Sequence, residues 1–284
     1  MEFLDLSKKI QIREEIITSA ELIEAATATN SYIKSLVSAF NELGFDIFYS
    51  LGQRNISGFV GEIFKHILAA KHEGFIANPH PDGRPDILSV DTKEIRDYYE
   101  SCFIAVNERS VPIKDLFTPF KYGGLEVKCS IGSSGKPQTT RYIQNHGHTF
   151  DLYEPRVGYL NGITWWAHHS SSSNLLGLYY DYYEKENGIP QILAAMYSTL
   201  TETDWNKVST GNPNNKKTSN TSLNKSGLQK MKSNCLFCCS DDEYIARNRQ
   251  STRRIKSCPP GTHKSGGHDF ILVVFCIHPE HWRA

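Results

Sequence analysis

The stretch Gly123-Gly124-Leu125-Glu126-Val127-Lys128-Cys129 carries the clearest structural pattern in the chain. Alternate side chains of a β-strand point to opposite faces of its sheet. The pattern therefore predicts a strand that turns Leu125, Val127 and Cys129 to one face. Glu126 and Lys128 then share the other face, where a carboxylate and an ammonium group lie side by side.

A second short strand is predicted upstream, where the turn-rich segment 79–85 leads into Asp86-Ile87-Leu88-Ser89-Val90. Asp86 opens this strand, so Asp86 and Glu126 can converge at one end of a sheet. Two carboxylates a few ångströms apart repel each other unless a cation lies between them, which makes such a pair a candidate Mg²⁺ site. Lys128 adds a positive charge that can orient a water molecule or neutralise charge on a phosphate.

The rest of the chain mixes helical and strand patterns. Apolar side chains spaced by three and four residues predict helices over 10–45 and 56–68, and Pro190 is expected to open a helix over 190–200. The further predicted strands are 162–169, 174–183 and 270–277. Together these elements predict an α/β (α+β) fold with a mixed central β-sheet flanked by helices.

The net charge is zero, with 31 Lys and Arg against 31 Asp and Glu, but it is unevenly distributed. Residues 205–268 hold 12 Lys and Arg against three acidic residues, so this segment carries +9 and the remainder −9. Such a segment favours binding to a polyanion. We therefore expect a helical N-terminus and core over 1–204, a basic insertion or subdomain over 205–268, and a terminal strand that returns to the core over 269–284.

The composition argues against several classes of protein. The longest strongly apolar run has eight residues, whereas a membrane-spanning helix needs about 20, and the first residues lack the pattern of a signal peptide. Seven cysteines without an export signal predict reduced thiols in a cytoplasmic protein. No Gly-rich phosphate loop occurs, so a nucleotide cofactor is not expected, and Ser and Cys nucleophile motifs are likewise absent. The short apolar runs predict no membrane partner.

The pair Pro85-Asp86 followed by Glu126-Val127-Lys128 resembles the signature of the PD-(D/E)XK nucleases, which include type II restriction endonucleases and many DNA-repair nucleases. The resemblance implies that Asp86, Glu126 and the carbonyl of Val127 bind Mg²⁺, and that Lys128 helps to activate the attacking water. It further implies a restriction-endonuclease-like core over about residues 55–200, and a homodimer that acts on double-stranded DNA.

Two features near the motif bear on this resemblance. Asp86 and Glu126 are 40 residues apart, which is longer than usual for the family, so residues 91–121 are expected to be an insertion. Asp82, in a Pro-Asp-Gly turn, is the alternative acidic residue.

Glu62 lies off the apolar stripe of the 56–68 helix and resembles the helical Glu that supports the metal site in related nucleases. Gly58 and Gly61 beside it would leave a slim helix face that another chain or DNA could approach.

Candidate DNA contacts fall in two segments. Polar and basic side chains in the loop that follows Lys128 are of the types that bind phosphates or base edges. The candidates in this loop are Lys136, Gln138, Thr140, Arg141 and Asn145. The basic segment adds candidates for bidentate guanine contacts, and these are Arg247, Arg249, Arg253 and Arg254.

The same basic segment contains a possible zinc site. Cys235, Cys238, Cys258 and His263 would form a Cys₃His set of four ligands, with 19 residues between its halves. A metal would help a small basic subdomain that lacks a core of its own. Reduced cysteines without a metal are the alternative.

The sequence as a whole therefore predicts a type II restriction endonuclease. The expected reaction is Mg²⁺-dependent, site-specific hydrolysis of double-stranded DNA that leaves 5′-phosphate ends. One alternative is a DNA-repair or junction-resolving nuclease of the same fold. Another is a DNA-binding protein that does not cleave and whose basic segment is stabilised by zinc.

Overall fold

The computed structural model of the protein describes residues 1–45, 47, 51, 53–117, 121–131, 166–167, 174–183, 189–207 and 221–241. These residues form a mixed α/β fold, in which a seven-stranded mixed sheet is flanked by helices. The fold class expected from the sequence is confirmed at this level.

The described residues contain thirteen strands and five α-helices, numbered here in chain order. The strands are β1 (Phe3–Asp5), β2 (Lys9–Ile12), β3 (Glu15–Thr18), β4 (Phe75–Ala77), β5 (Ile87–Ser89), β6 (Phe103–Val106), β7 (Arg109–Pro112), β8 (Gly124–Ser130), β9 (Trp166–Ala167), β10 (Asn174–Tyr183), β11 (Ile189–Thr199), β12 (Thr221–Ser222) and β13 (Cys235–Cys239). The α-helices are α1 (Ser19–Glu42), α2 (Gln53–Ala69), α3 (Lys93–Glu100), α4 (Lys114–Phe117) and α5 (Lys225–Ser233).

The main sheet has the strand order β1-β13-β11-β10-β8-β5-β4. Strands β4, β5 and β8 form an antiparallel meander, and β10 then pairs in parallel with β8. Antiparallel pairs add β11, β13 and β1 beyond β10. Strand β8, which carries the alternating pattern, therefore lies in the interior of the sheet between β5 and β10.

Apolar layers cover both faces of this sheet. On one face, α1 and α2 pack against a cluster that includes Leu176 and Tyr180 of β10. The cluster on the other face includes Leu175 and Tyr179 together with Met231 of α5. Alternate side chains of β10 thus pack into the apolar layers on opposite faces of the sheet. This explains why a central strand is apolar at nearly every position.

The predicted helix over 10–45 is wrong for its first part, because residues 9–18 form the β2–β3 hairpin and the helix begins at Ser19. The hairpin buries Ile10, Ile12 and Ile17. Thr18 then fixes the start of α1 through a capping box, in which its hydroxyl accepts the N–H of Glu21 at 3.2 Å and the Glu21 carboxylate accepts the N–H of Thr18 at 2.7 Å.

The predicted helix over 190–200 is also wrong, because this segment forms strand β11. Ile192 and Ala195 face the layer of α1 and α2, whereas Leu193 and Met196 face the layer of α5. A strand that is buried on both faces is a continuous apolar run, which periodicity alone cannot distinguish from a buried helix.

Residues 91–121, expected to be an insertion, contain α3, the β6–β7 hairpin and α4. These elements pack around a small apolar cluster that includes Ile95, Tyr99 and Phe117. The cluster also contains Leu88 and Val90, which lie in and next to β5, so the added elements are anchored to the edge region of the main sheet.

The basic segment 205–268 is not a separate insertion throughout. Strand β13 lies within it and pairs with both β11 and β1 of the main sheet. The predicted domain boundary is therefore wrong for residues 235–239, whose buried apolar side chains belong to the core. The predicted strand over 270–277 and most of the predicted run over 162–169 lie outside the described residues.

Two further properties concern the described part of the chain. Its helices lack the combination of length and apolar character that would let one of them cross a membrane. Its cysteines form no disulfide with one another, and they lie in buried or half-buried positions.

Candidate active site

The pairing of β5 with β8 brings the predicted site residues together. Ile87 pairs with Leu125 and Leu88 with Gly124 in antiparallel register. Continuing this register by one position sets Asp86, at the entrance to β5, opposite Glu126. Strand pairing therefore brings together two carboxylates that are 40 positions apart in the chain.

Three polar contacts define the geometry of the site. The ammonium nitrogen of Lys128 lies 2.6 Å from Glu126 Oε1 and 3.3 Å from Asp86 Oδ2. The backbone N–H of Val127 donates a hydrogen bond to the same Asp86 Oδ2 at 2.8 Å. In an extended strand the N–H and C=O of one residue point to the same side, so the Val127 carbonyl points to the side of β8 on which Asp86 lies.

The site is buried at Glu126 and half-buried at the other two residues. The Glu126 side chain is 2% exposed, whereas that of Asp86 is 20% exposed and that of Lys128 is 27% exposed. Glu126 Oε2 is buried and accepts no hydrogen bond from any described residue. A buried carboxylate oxygen without a donor is costly, so this atom is positioned to bind a cation or a donor from outside.

The charges in the site act on each other. Burial raises the pKa of Glu126 above its ordinary value and the nearby Asp86 carboxylate raises it further, although Lys128 and Arg84 act in the opposite direction. Burial acts to lower the pKa of Lys128, but the carboxylates of Glu126 and Asp86 outweigh it and raise that pKa above its ordinary value. Lys128 is therefore a stable cation at neutral pH.

These residues fit a hard divalent cation. Among the described residues, no group of three or more His, Cys, Asp or Glu side chains is arranged to hold a metal ion. The site instead offers two carboxylates, one of which has an unsatisfied buried oxygen, and a backbone carbonyl on the same side. Oxygen donors of these kinds, completed by water, are what Mg²⁺ prefers in proteins.

Asn78 organises the loop that carries Asp86, and sequence reasoning missed it. Its buried amide donates to the carbonyls of Pro85 at 3.0 Å and Phe117 at 3.1 Å. Its backbone N–H donates to the carbonyl of Asp86 at 2.9 Å. An Asn directly after the apolar residues Phe75–Ala77 was the available signal, although nothing in the sequence indicates that it is buried or which backbone groups it binds.

Gly124 and Arg84 were also missed as site residues. A side chain at Gly124 would collide with the carbonyl of Ile87 and lie 2.6 Å from Pro85, so only glycine allows β8 to approach the Pro85-Asp86 segment this closely. The φ of Gly124 is +143°. Arg84, two residues before Asp86, brings its guanidinium close enough to lower the pKa of Glu126.

Asp82, the alternative acidic residue, does not lie in this site. Its carboxylate pairs with Lys114 of α4 at 2.7 Å, and its side chain is 67% exposed. The side-chain hydrogen bond from Lys114 lowers the pKa of Asp82. The structure thus brings Asp86, and not Asp82, beside Glu126 and Lys128.

Glu62 forms an ion pair within its own helix. Its carboxylate pairs with the nearly buried Lys65 one turn along α2 at 2.7 Å, and its own side chain is 55% exposed. The helix face at Gly61 is occupied, because a Cβ there would lie 3.3 Å from the sulfur of Cys129 in β8. Gly61 therefore lets α2 pack against the sheet, and the expectation that its face is open to another chain or DNA is wrong. At Gly58, no described atom outside the adjacent residues and nearby backbone of α2 lies within 4 Å of the position that a Cβ would take.

The remaining predicted residues are mostly beyond the described part of the chain. The candidate DNA contacts Lys136, Gln138, Thr140, Arg141, Asn145, Arg247, Arg249, Arg253 and Arg254 all lie outside it, as do Cys258 and His263. Cys235 and Cys238 lie in β13, where both belong to the apolar cluster that packs against α5. The zinc site consequently remains a prediction.

Comparisons with known proteins add no relative. No protein-family model, no curated protein and no solved structure matches the chain. The functional interpretation therefore depends on the residues of this chain and on the geometry of the site that they form.

Proposed function

We propose that the protein is a Mg²⁺-dependent endonuclease that hydrolyses double-stranded DNA at specific sites, as type II restriction endonucleases do. The observation that carries this proposal is the convergence of Asp86, Glu126 and Lys128 at the junction of two paired strands. The resemblance to the PD-(D/E)XK nucleases depends on these three side chains. The mixed sheet with helices on both faces is further support, because the resemblance implies such a fold.

Asp86, Glu126 and the Val127 carbonyl are the groups that would hold Mg²⁺. When bound, the ion would polarise a phosphoryl oxygen and lower the pKa of a coordinated water. The chain itself keeps the two carboxylates in place. The N–H of Val127 holds Asp86, and burial within the sheet restricts Glu126.

Lys128 supplies a charged donor beside the reacting phosphate. Its ammonium group, which stays protonated at neutral pH, can orient the attacking water and bind a non-bridging oxygen on which charge develops. In an in-line attack, the water oxygen bonds to phosphorus as the bond to the 3′-oxygen breaks. The water proton leaves to solvent and the 3′-oxygen takes one up, so the products are a 5′-phosphate and a 3′-hydroxyl.

The charge distribution is the basis for proposing DNA as the partner. Residues 205–268 carry a net charge of +9 in a chain that is otherwise acidic. Basic side chains that displace counterions from DNA give salt-dependent binding without the need for base contacts. A homodimer with two-fold symmetry would set one such site against each strand of a palindrome.

Plasmid cleavage tests the proposal. We expect discrete fragments from supercoiled plasmid in Mg²⁺, none in EDTA, and none with Glu126→Gln or Lys128→Met. Glu24→Gln is the matched control, because Glu24 is an exposed carboxylate of α1 that pairs with Lys71. Nicking of branched DNA without sequence-specific fragments would favour a repair or junction-resolving nuclease. DNA binding that never leads to cleavage with any divalent cation would contradict the proposal and favour the non-cleaving alternative.

A further inference from the structure

The ammonium group of Lys128 lies between the carboxylates of Asp86 and Glu126, where a positive charge reduces their repulsion. It contacts Glu126 Oε1 at 2.6 Å and Asp86 Oδ2 at 3.3 Å. Without a positive charge there, two carboxylates would face each other across paired strands, one of them with 2% exposure. Such a pair is stabilised by a counter-charge, and Lys128 is the described cation that contacts both carboxylates.

The carboxylates are held more firmly than the lysine. Asp86 Oδ2 is fixed by the Val127 N–H at 2.8 Å, and Glu126 is buried in the interior of the sheet. Lys128 reaches the site through a flexible four-carbon chain and is partly exposed. The ammonium group can therefore withdraw towards solvent while both carboxylates stay in position.

A divalent cation and an ammonium group compete for the same oxygens. Both are attracted by Glu126 Oε1 and Asp86 Oδ2, and they repel each other at such short range. Glu126 Oε2, which accepts no hydrogen bond from any described residue, adds an oxygen that Lys128 leaves unused. A metal ion can bind this oxygen as well. The additional contact favours displacement of the ammonium group by the metal ion.

We propose that Lys128 is the internal counter-ion of the metal-free site, and that a divalent cation binds by exchange with its ammonium group. This inference rests on the proposed function, since it takes the metal site as given. The exchange lowers metal affinity and leaves the displaced ammonium group free to contact water or phosphate. In the absence of metal, Lys128 keeps the site folded.

The test compares metal binding by the full chain and by Lys128→Met, which keeps the length of the side chain and removes its charge. Mn²⁺ affinity is measured by calorimetry, and thermal unfolding is measured in EDTA and in millimolar Mn²⁺. We expect Lys128→Met to bind Mn²⁺ at least about tenfold more tightly, because no charge has to be displaced. It should also unfold at a lower temperature than the wild type in EDTA and regain most of that loss in Mn²⁺.

Lys230→Met is the matched control. Lys230 pairs with the buried carboxylate of Asp204 at 2.7 Å, in a part of the fold that packs on β11 rather than β8. This variant should also be less stable than the wild type, and the deficit should be the same in EDTA and in Mn²⁺, because Mn²⁺ stabilises both proteins equally. Its Mn²⁺ affinity should equal that of the wild type.

The outcomes separate this inference from the proposed function. If the wild type binds Mn²⁺ and Lys128→Met binds it equally or more weakly, the exchange is refuted and the metal site stands. If neither protein binds Mn²⁺, the metal site and the inference both fail. If Mn²⁺ raises the unfolding temperature of Lys230→Met as much as that of Lys128→Met, Lys128 does not oppose metal binding and the exchange is refuted.

Discussion

The backbone N–H of Val127 donates a hydrogen bond to Asp86 Oδ2 at 2.8 Å. The strand that carries Glu126 and Lys128 thus holds the third member of the site directly with its main chain. Any residue other than proline at position 127 keeps this donor, since only the backbone takes part. The contact also explains how residues 40 positions apart can keep a fixed geometry.

Substituting Asp86 should remove activity, whereas the same substitution at Asp82 should not. Asp86→Asn loses a negative charge that would hold the metal, so we expect cleavage to fall by at least about 100-fold. Asp82→Asn breaks only an exposed pair with Lys114. Rates of plasmid cleavage by the two variants provide the comparison. Equal losses, or a loss with Asp82→Asn alone, would assign the metal-binding role differently.

Asn78 should act as a positioning residue. Asn78→Ala leaves the carbonyl of Pro85 without its side-chain donor and removes one of two donors to the carbonyl of Phe117, which also accepts the N–H of Arg84 at 2.8 Å. We expect unfolding to become easier by about 1–3 kcal/mol. Because the loop also carries Asp86, kcat should fall further than stability alone explains, measured at a temperature where the variant is folded.

Asn30→Ala is the control for that prediction. Asn30 is a buried amide of α1 that bonds both backbone groups of Ile192, at 2.7 Å and 3.1 Å. Its loss should destabilise the fold to a similar degree while leaving kcat unchanged. A kcat that falls equally in both variants would mean that Asn78 affects activity only through stability.

Gly124 should tolerate no side chain. Gly124→Ala forces a Cβ against the carbonyl of Ile87 at a φ of +143°, so the β5–β8 pairing must shift. We expect a loss of roughly 2 kcal/mol or more in the free energy of unfolding, together with loss of cleavage. Gly58→Ala has no described atom outside the adjacent residues and nearby backbone of α2 within 4 Å of the new Cβ, and in a helix it should be neutral or stabilising by roughly 0.5–1 kcal/mol. Chemical denaturation of both variants measures the difference.

Stability at acidic pH should depend on Asp204. Burial acts to raise the pKa of Asp204, but hydrogen bonds from Lys230 and Thr201 outweigh it and the pKa is lowered. A carboxyl whose pKa is lower in the folded state contributes stability above its unfolded pKa, and that contribution is lost as the pH falls through the folded pKa. Asp204→Asn should therefore be less stable than the wild type by about 1–3 kcal/mol near neutral pH.

The measurement for Asp204 is denaturant unfolding at a series of pH values. The difference between wild type and Asp204→Asn should shrink below pH values near the ordinary pKa of an Asp, about 3.9. A difference that stays constant from neutral to acidic pH would mean that the charge of Asp204 contributes nothing.

The core of the site could be predicted from sequence because its signals are local. Alternation along β8 sets Glu126 and Lys128 on the face opposite Leu125 and Val127, and this arrangement is confirmed. Asp86 directly precedes a short apolar strand, as expected. The pairing that joins these segments and the roles of Asn78 and Gly124 depend on contacts between distant parts of the chain, which no local pattern specifies.

Two wrong predictions of secondary structure have the same physical cause. The hairpin over 9–18 and strand β11 resemble helices in sequence, because apolar side chains at close spacing satisfy both periods over short segments. Burial on both sides of β11 removes the alternation that would have identified a strand. Strand β13 was overlooked for another reason, since the basic residues around Cys235–Cys239 dominate the composition of the segment.

The most direct test of the central claim is digestion of a sequenced plasmid in Mg²⁺ by the wild type and by Glu126→Gln, with the ends of every product sequenced. We predict that the wild type leaves discrete ends with 5′-phosphates at one repeated sequence, and that Glu126→Gln leaves the plasmid intact while still binding it. Fragments that appear equally with Glu126→Gln, or a plasmid that stays intact with folded wild type, would contradict a hydrolytic site built from Asp86, Glu126 and Lys128.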